Sequence, residues 1–183
     1  CPWACRALAV IKIKGIRGIG LSVVGSLFER TKPDDSSDTH TGWMFKTADE
    51  EAGCVPDPLG RRTVRQIYEE TGVDTPRYTV PILFDLKVRT LGLCCLLHYT
   101  CLALLVTHRQ LQNGVIVNNE SSEIIQMLNS EFNAFAEYPD IDLAPAALQP
   151  AADAVNDWIY HDINNGVYKC GFAHSQEAYD EAV

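Results

Sequence analysis

The sequence predicts an α/β domain followed by an all-helical segment, and three observations carry that prediction. Helical and strand signals alternate from residue 1 to residue 135. Beyond a loop at 136–148, which carries Pro139 and Pro145, apolar residues recur only at helical spacing. The composition is that of a folded globular chain, with 183 residues, 46% hydrophobic and 21% charged, so disordered and fibrous classes are ruled out. A net charge of −9 argues against a surface built to neutralise phosphates, and no nucleic-acid partner is expected.

Residues 1–14 read as a helix. Pro2 suits the first helical position, where its missing N–H costs nothing. Lys12 and Lys14 fall in the last turn and Gly15 can cap it. The β-branched run Val10-Ile11-Lys12-Ile13 leaves a strand as the alternative. Residues 20–25 read as a short strand, with Leu21-Ser22-Val23-Val24 between two glycines. From 29 to 51 the chain is polar and turn-rich, broken by the aromatic island Gly42-Trp43-Met44-Phe45. Asp57-Pro58-Leu59-Gly60 is a turn, and a short helix is expected over 63–70. Residues 78–85 form a strand containing Pro81, which marks an edge, a bulge or a cis peptide bond because proline cannot donate to a central ladder. Residues 114–117 form a second strand, and the polar run Asn118 to Glu123 caps a helix that reaches 133. Val155, Trp158, Ile159 and Ile163 then fall at helical spacing, Gly166 is expected to end that helix, and a last helix starts near Ser175 and runs to the chain end. Helix, strand, helix, strand, strand, helix and then helices alone is the order of a thioredoxin-like domain followed by a helical domain, with the first strand missing.

Seven cysteines (Cys1, Cys5, Cys54, Cys94, Cys95, Cys101 and Cys170) are an odd number in a chain too long to depend on disulfides. They predict a reducing, cytoplasmic compartment, with one reactive thiol among inert ones. An organellar leader ahead of Cys1 is the alternative, because the chain opens on Cys1-Pro2-Trp3 without methionine and so reads as part of a longer protein. Cys1 stands at a helix N-terminus, where the dipole and free N–H groups favour the nucleophilic thiolate. Cys5 lies four residues on, outside any Cys-x-x-Cys pair, and is expected to pack against the sheet as a small apolar residue. Cys95-x-x-His98-x-x-Cys101 offers three metal ligands with no fourth at a recognised spacing, so no metal is expected there. Gly18-x-Gly20 lacks the third glycine of a dinucleotide fingerprint. The apolar run 91–106 is shorter than the roughly 20 residues of a spanning helix and has His98 at its middle, so no membrane partner is expected.

Five motifs occur in one order. They are Cys1-Pro2-Trp3-Ala4, Gly42-Trp43-x-Phe45, Arg77-x-Thr79-Val80-Pro81, Asn119-Glu120-Ser121-Ser122-Glu123-Ile124-Ile125-x-Met127-Leu128-Asn129, and Ile163-Asn164-Asn165-Gly166-Val167-Tyr168-Lys169-x-Gly171-Phe172-Ala173. Together they resemble the glutathionyl-hydroquinone reductases, the xi class of glutathione transferases, over most of the chain outside 88–112. The resemblance implies a thioredoxin-like glutathione-binding domain over 1–135, with an atypical insert at 88–112, and an incomplete helical domain over 136–183. It also implies glutathione as co-substrate, no metal, glutathionylated quinols as substrates and a homodimer at full length. Where the family carries a histidine or similar residue after the Cys-Pro-Trp-Ala motif, this chain has Cys5.

Residue by residue, the resemblance implies that Cys1 is the nucleophile. The backbone of Val80 would pair with the cysteinyl part of glutathione, with Tyr78 and Thr79 in the same binding segment. Glu120 and Ser121 would hold the γ-glutamyl end, the carboxylate meeting the ammonium while Ser121 and the helix N-terminus receive the α-carboxylate. Arg77 and Trp43 would add a charge and an apolar wall, and Tyr168 would exchange a proton with the hydroquinone oxygen. From the residues alone, Trp43 also reads as a core tryptophan, Glu120-Ser121 as a helix cap, and Tyr168 as a tyrosine packed at a helix end, with Tyr160 nearby. The function implied is glutathione-dependent reduction of glutathionyl-hydroquinones. General thioltransferase or dehydroascorbate reductase activity, and an inactive glutathione-binding fragment, are the alternatives.

Residues 88–112 read as translated intron. Removing them joins Asp85-Leu86-Lys87 to Asn113-Gly114-Val115, so the flanking strands meet through an Asn-Gly hairpin turn. Lys87-Val88 can be encoded as AAG-GTN, supplying a GT donor, and Gln112 as CAG, supplying the AG acceptor. Three of the seven cysteines crowd into this stretch. Transcript sequencing is expected to find most mature copies without these codons; copies that mostly retain them, translated into soluble protein, refute the reading.

Overall fold

The computed structural model describes residues 1–73, 75, 77–86 and 114–183. The chain divides into two compact units, Cys1–Asp140 and Ile141–Val183. The insert at 88–112, its apolar run and its Cys95, His98 and Cys101 lie outside the described residues.

In the first unit, helix α1 spans Pro2–Lys14, with Cys1 as its N-cap and Gly15 at φ 62° as its left-handed C-cap. The helical reading holds because Ala7, Val10 and Lys14 fall on one buried stripe. Lys14 is fully buried, although its place in the last turn suggested a solvated cation. Strand β1 is Val24–Arg30 and β2 is Thr41–Phe45. They pair antiparallel, with Phe28 opposite Trp43 and Arg30 opposite Thr41. The strand expected at 20–25 therefore starts later, and the aromatic island read as loop is its partner. A ladder forms where a second backbone satisfies the N–H and C=O groups, and 41–45 supplies that backbone. Val23 bridges Val55 instead.

Helix α2, Val64–Thr71, opens on a capping box: Thr63 accepts from Gln66 N–H while the Gln66 side chain accepts from Thr63 N–H. It buries Val64, Ile67 and Tyr68. Strand β3 is only Leu83–Asp85, preceded by a cis Val80–Pro81 bond, and it pairs antiparallel with β4, Val115–Asn118. Asp85 stands opposite Val115, so the ladder reaches both edges of the stretch outside the described residues. Gly114, at φ +82°, turns into β4, and a Cβ there would lie 2.5 Å from the Asp85 carbonyl oxygen. Helix α3, Ser121–Ser130, packs Ile124 and Leu128 against Ala7, Val10 and Ile16. The chain then returns to α1: Glu137 and Tyr138 donate backbone hydrogen bonds to Gly15 and Lys14. These bonds attach residues 136–138 to the first unit, which runs to Asp140.

The second unit is helical. Helix α4, Gln149–Trp158, continues through one wide turn at Ile159–Asn164 into α5, Asn165–Gly171, and α6 is Gln176–Asp180, capped by Ser175. Gly166 does not end the helix as expected. It is a buried packing position, where a Cβ would sit 3.7 Å from the Ala182 carbonyl oxygen. The final helix stops before the chain end, at Asp180.

The turn ahead of α2 is held by a buried ion pair. The Arg61 guanidinium donates to both carboxylate oxygens of Asp57, at 2.9 and 2.7 Å, and Asp57 also accepts the Leu59 and Arg61 backbone N–H groups. Both side chains are about 5% exposed or less. Burial acts to push the Asp57 carboxyl up, but the hydrogen bonds from Arg61 overcome it and hold the group below its ordinary value. A depressed carboxylate stabilises the fold above its unfolded pKa, near 3.9 for aspartate, and loses that contribution as pH falls through the folded value. Asp57→Ala leaves Arg61 buried without its partner, and should cost about 3–5 kcal/mol at neutral pH. The expected measurement is a lower urea midpoint, with the gap to the parent chain closing below about pH 4; coincident midpoints at pH 7 count against it.

Candidate active site

Cys1 is exposed at the N-cap of α1. No side chain caps this helix end and no acidic residue occupies its first turn. The thiol therefore stands at the positive end of the helix dipole, the setting that favours a thiolate. Cys5 is exposed as well, one turn along, where its N–H closes the first helical hydrogen bond to the Cys1 carbonyl at 3.0 Å. It does not pack against a sheet as expected, because the buried stripe of α1 runs through Ala7, Val10 and Lys14 and position 5 faces away from it. Cys54 is buried, and desolvation with the nearby Glu51 pushes its thiol up, which disfavours reactivity.

The segment 77–81 joins the core beneath it through side chains of alternating depth. Tyr78 and Val80 are half-buried and pack on the Phe45, Val64, Ile67 and Tyr68 cluster, as does Trp43. The Tyr78 ring meets His40 at 5.1 Å and Tyr68 at 5.6 Å, with the Arg65 guanidinium 5.7 Å from its centroid. Trp43 packs edge-on against Phe28, with centroids 4.5 Å apart. Its ring is half-buried and packs at the edge of that cluster rather than inside the core. Arg77 and Thr79 are exposed. Among the expected residues, the fold collects Trp43, Tyr78 and Val80 on one apolar cluster and leaves Arg77 at the surface.

The Asn119 to Ser121 turn forms the other half. Glu120 is the exposed N-cap of α3, and its carboxylate accepts from the Ser122 N–H at 3.4 Å and hydroxyl at 3.3 Å. Asn118 accepts from the Glu120 N–H at 2.7 Å, which holds the turn. Ser121 is 5% exposed, and its hydroxyl accepts a 2.6 Å hydrogen bond from the Arg6 guanidinium. A hydroxyl that accepts from Arg6 keeps its own proton for another acceptor. Burial pushes the Arg6 guanidinium down from its ordinary value, and the negative Glu120 opposes that shift.

Tyr168 belongs to the second unit, on α5, where it is 47% exposed and stacks on Phe172 with the rings 6° from parallel. Tyr160 lies in the wide turn beside His161, 54% exposed.

Two residues that sequence reasoning missed organise the first unit. Arg6 links the helix that bears Cys1 to the start of α3. Its signal was a lone cation in the otherwise apolar run 2–11. Tyr68 is fully buried, and its hydroxyl donates to the Thr79 carbonyl at 3.0 Å and accepts from the Asn119 amide at 3.1 Å. Nothing in the local pattern distinguishes it from an ordinary apolar position of α2. Among the described residues no group of three or more His, Cys, Asp and Glu side chains could hold a metal ion, and no helix is long and apolar enough to cross a membrane.

A thiol at a helix start, a cis-proline segment and an acid–serine helix start, on an α/β unit with a helical unit after it, match the thioredoxin-like fold of the glutathione transferases. No family model matches the chain. It is 38% identical over 186 residues to glutathionyl-hydroquinone reductase YqjG of Escherichia coli (strain K12), covering 100% of this chain and 45% of that protein. It is 36% identical over 187 residues to glutathionyl-hydroquinone reductase PcpF of Sphingobium chlorophenolicum, covering 100% and 47%. Among solved structures, glutathione transferase Xi 1 from Trametes versicolor superposes with a TM-score of 0.70 at 37% identity, covering 100% of this chain and 52% of that one. The glutathione-bound structure of YqjG, a glutathione transferase homologue, gives 0.71 at 36%, covering 100% and 48%. The chain is homologous over its whole length to the xi-class glutathione transferases and the glutathionyl-hydroquinone reductases. It spans about half the length of the curated relatives it matches.

Proposed function

We propose that the chain carries the glutathione-binding and thiol-reacting part of a glutathione-dependent oxidoreductase that reduces glutathionyl-hydroquinones. The observation that carries this reading is the Cys1 thiol at the start of a helix whose first turn holds no acidic residue, and which Arg6 ties to the Glu120–Ser121 turn. In the proposed cycle the Cys1 thiolate attacks the sulfur of the glutathionyl group on the substrate. The sulfur–carbon bond breaks, the ring carbon takes a proton to give the hydroquinone, and a Cys1–glutathione disulfide remains. The resemblance adds Tyr168 as the group that exchanges a proton with the hydroquinone oxygen. A second glutathione thiolate attacks the mixed disulfide, regenerating Cys1 and releasing glutathione disulfide. One protein thiol suffices, so the cycle asks nothing of Cys5.

The ligand's parts match the chemistry of the two half-sites. The backbone at Val80 offers strand-type hydrogen bonds to the cysteinyl residue. The Glu120 carboxylate can meet an ammonium, while the first turn of α3 and the Ser121 proton suit a carboxylate.

Exposure of the chain to glutathione disulfide should place the added glutathione on Cys1 by peptide mass spectrometry. Cys1→Ser should abolish both the adduct and turnover of a glutathionyl-hydroquinone, whereas Cys5→Ala keeps most of each. An adduct formed chiefly on Cys5 or Cys54 contradicts the assignment. Glu120→Ala removes a charge-assisted contact of about 1.5–3 kcal/mol, or roughly one to two powers of ten in glutathione affinity. A glutathione titration that is unchanged by this substitution would leave Glu120 with its capping role alone.

A further inference from the structure

Tyr68 sits beneath the two segments that the proposed function assigns to glutathione. From α2 its ring packs among Phe45, Val64 and Ile67, and it is 0% exposed. Its hydroxyl is fully used. A phenol has one proton to donate and two lone pairs to accept with. The proton goes to the Thr79 carbonyl at 3.0 Å, and the lone pairs face the Asn119 amide at 3.1 Å and the Thr79 hydroxyl at 3.3 Å. Thr79 immediately precedes Val80, and Asn119 immediately precedes Glu120. A single buried oxygen thus joins the backbone segment that would hold the cysteinyl part of the ligand to the turn that would hold its γ-glutamyl end.

The support of that oxygen is rigid. Helix α2 is pinned at its start by the Thr63–Gln66 capping box, and the Thr71 hydroxyl bonds back to the Ile67 carbonyl at 2.8 Å in the last turn. The Tyr78 ring, next to Thr79 in sequence, lies 5.6 Å from the Tyr68 ring. The two bridged segments are each bonded to the same hydroxyl through the residue that precedes their assigned ligand contact, Thr79 before Val80 and Asn119 before Glu120.

We propose that Tyr68 is a positioning residue that fixes the spacing between the Val80 backbone and the Glu120–Ser121 turn, so that both ends of one glutathione molecule are held at once. This rests on the proposed glutathione site and adds a coupling between its halves. A ligand that bridges two half-sites gains from the second contact only if the first holds the site at the right separation. Loosening the bridge therefore weakens the contribution of each end, not merely the stability of the fold.

The test is a double-substitution cycle read by glutathione titration of the full chain. Glu120→Ala is measured alone, in the Tyr68→Phe background and in the Asn119→Ala background. Tyr68→Phe should weaken glutathione binding by about three- to tenfold, the worth of a hydrogen bond. The weakening caused by Glu120→Ala should shrink by about threefold or more in either background, since residues that act through a shared network are not additive. Ile67→Val, which trims the same helix without removing a hydrogen bond, should leave the Glu120→Ala effect unchanged. Additive effects in both backgrounds overturn the proposal while the glutathione site stands. No effect of Glu120→Ala in the parent chain overturns the site assignment itself, and the coupling with it. Should Tyr68→Phe fail to fold, Asn119→Ala, which removes the α3 arm of the bridge and keeps the phenol, decides the question alone.

Discussion

The first unit depends on the packing of α1 against α3. Ala7 and Val10 on one helix meet Ile124 and Leu128 on the other, and Ile16 closes the cluster as the chain leaves α1. The contact is ordinary apolar burial, worth on the order of 1.5–3 kcal/mol for each large side chain removed from water. Its consequence is geometric. It places Arg6, one turn and a half beyond Cys1, against the start of α3, so that the guanidinium reaches the Ser121 hydroxyl. The thiol-bearing helix and the capped acidic turn become parts of one arrangement because two hydrophobic stripes found each other.

A second layer of order comes from polar groups buried with their partners. Asp57 and Arg61 close the turn before α2, and the capping box starts the helix in register. Arg61 also lies 4.7 Å from the Phe84 ring centroid, which ties that turn to the strand after the cis-proline bond. Arg65 bonds Glu69 and Asp38 while facing the Tyr78 ring, so the polar loop 31–40 is anchored on the same helix. A buried donor or acceptor left unpaired costs about 1–3 kcal/mol. Each pairing therefore restricts where the loops can lie as strongly as an apolar contact does. Helix α2 carries none of the expected site residues, yet it is the element on which the 78–80 segment packs and to which Asn119 bonds.

Much of the local structure around the candidate site was legible in the order of the chain. Cys1-Pro2 announces a helix start with a thiol at its mouth, and Gly15 with a left-handed backbone ends it as read. Pro81 signalled an irregular strand, which is the cis bond and shortened β3. Thr63 and Ser175 mark helix starts within a residue of where they form. The misreadings share a cause. The Trp43 island stands in a polar, turn-rich stretch with no strand signal of its own, and pairing with Phe28 makes it a strand. Cys5 was placed inward on residue type alone, whereas the face of α1 that turns inward is set by Ala7, Val10 and Lys14. Gly166 reads as a stop in the sequence, but the helix runs through it and it is buried within α5.

By itself the sequence determined which residues have the chemistry: the thiol, the carboxylate, the prolines and caps that start and stop helices, and five ordered motifs that resemble those of the glutathionyl-hydroquinone reductases. These are properties of residue type and of neighbours within a few positions, where backbone geometry and side-chain reach are local. The tertiary structure decided what those residues touch. The Arg6–Ser121 bond spans 115 residues and the Tyr68–Asn119 bond 51. Such bonds are set by how helices pack and how strands register, and one buried hydroxyl or guanidinium leaves no periodic trace in a sequence. Local pattern records the balance of apolar and polar positions along one element; which distant backbone completes a buried group's hydrogen bonds is settled only when the elements come together.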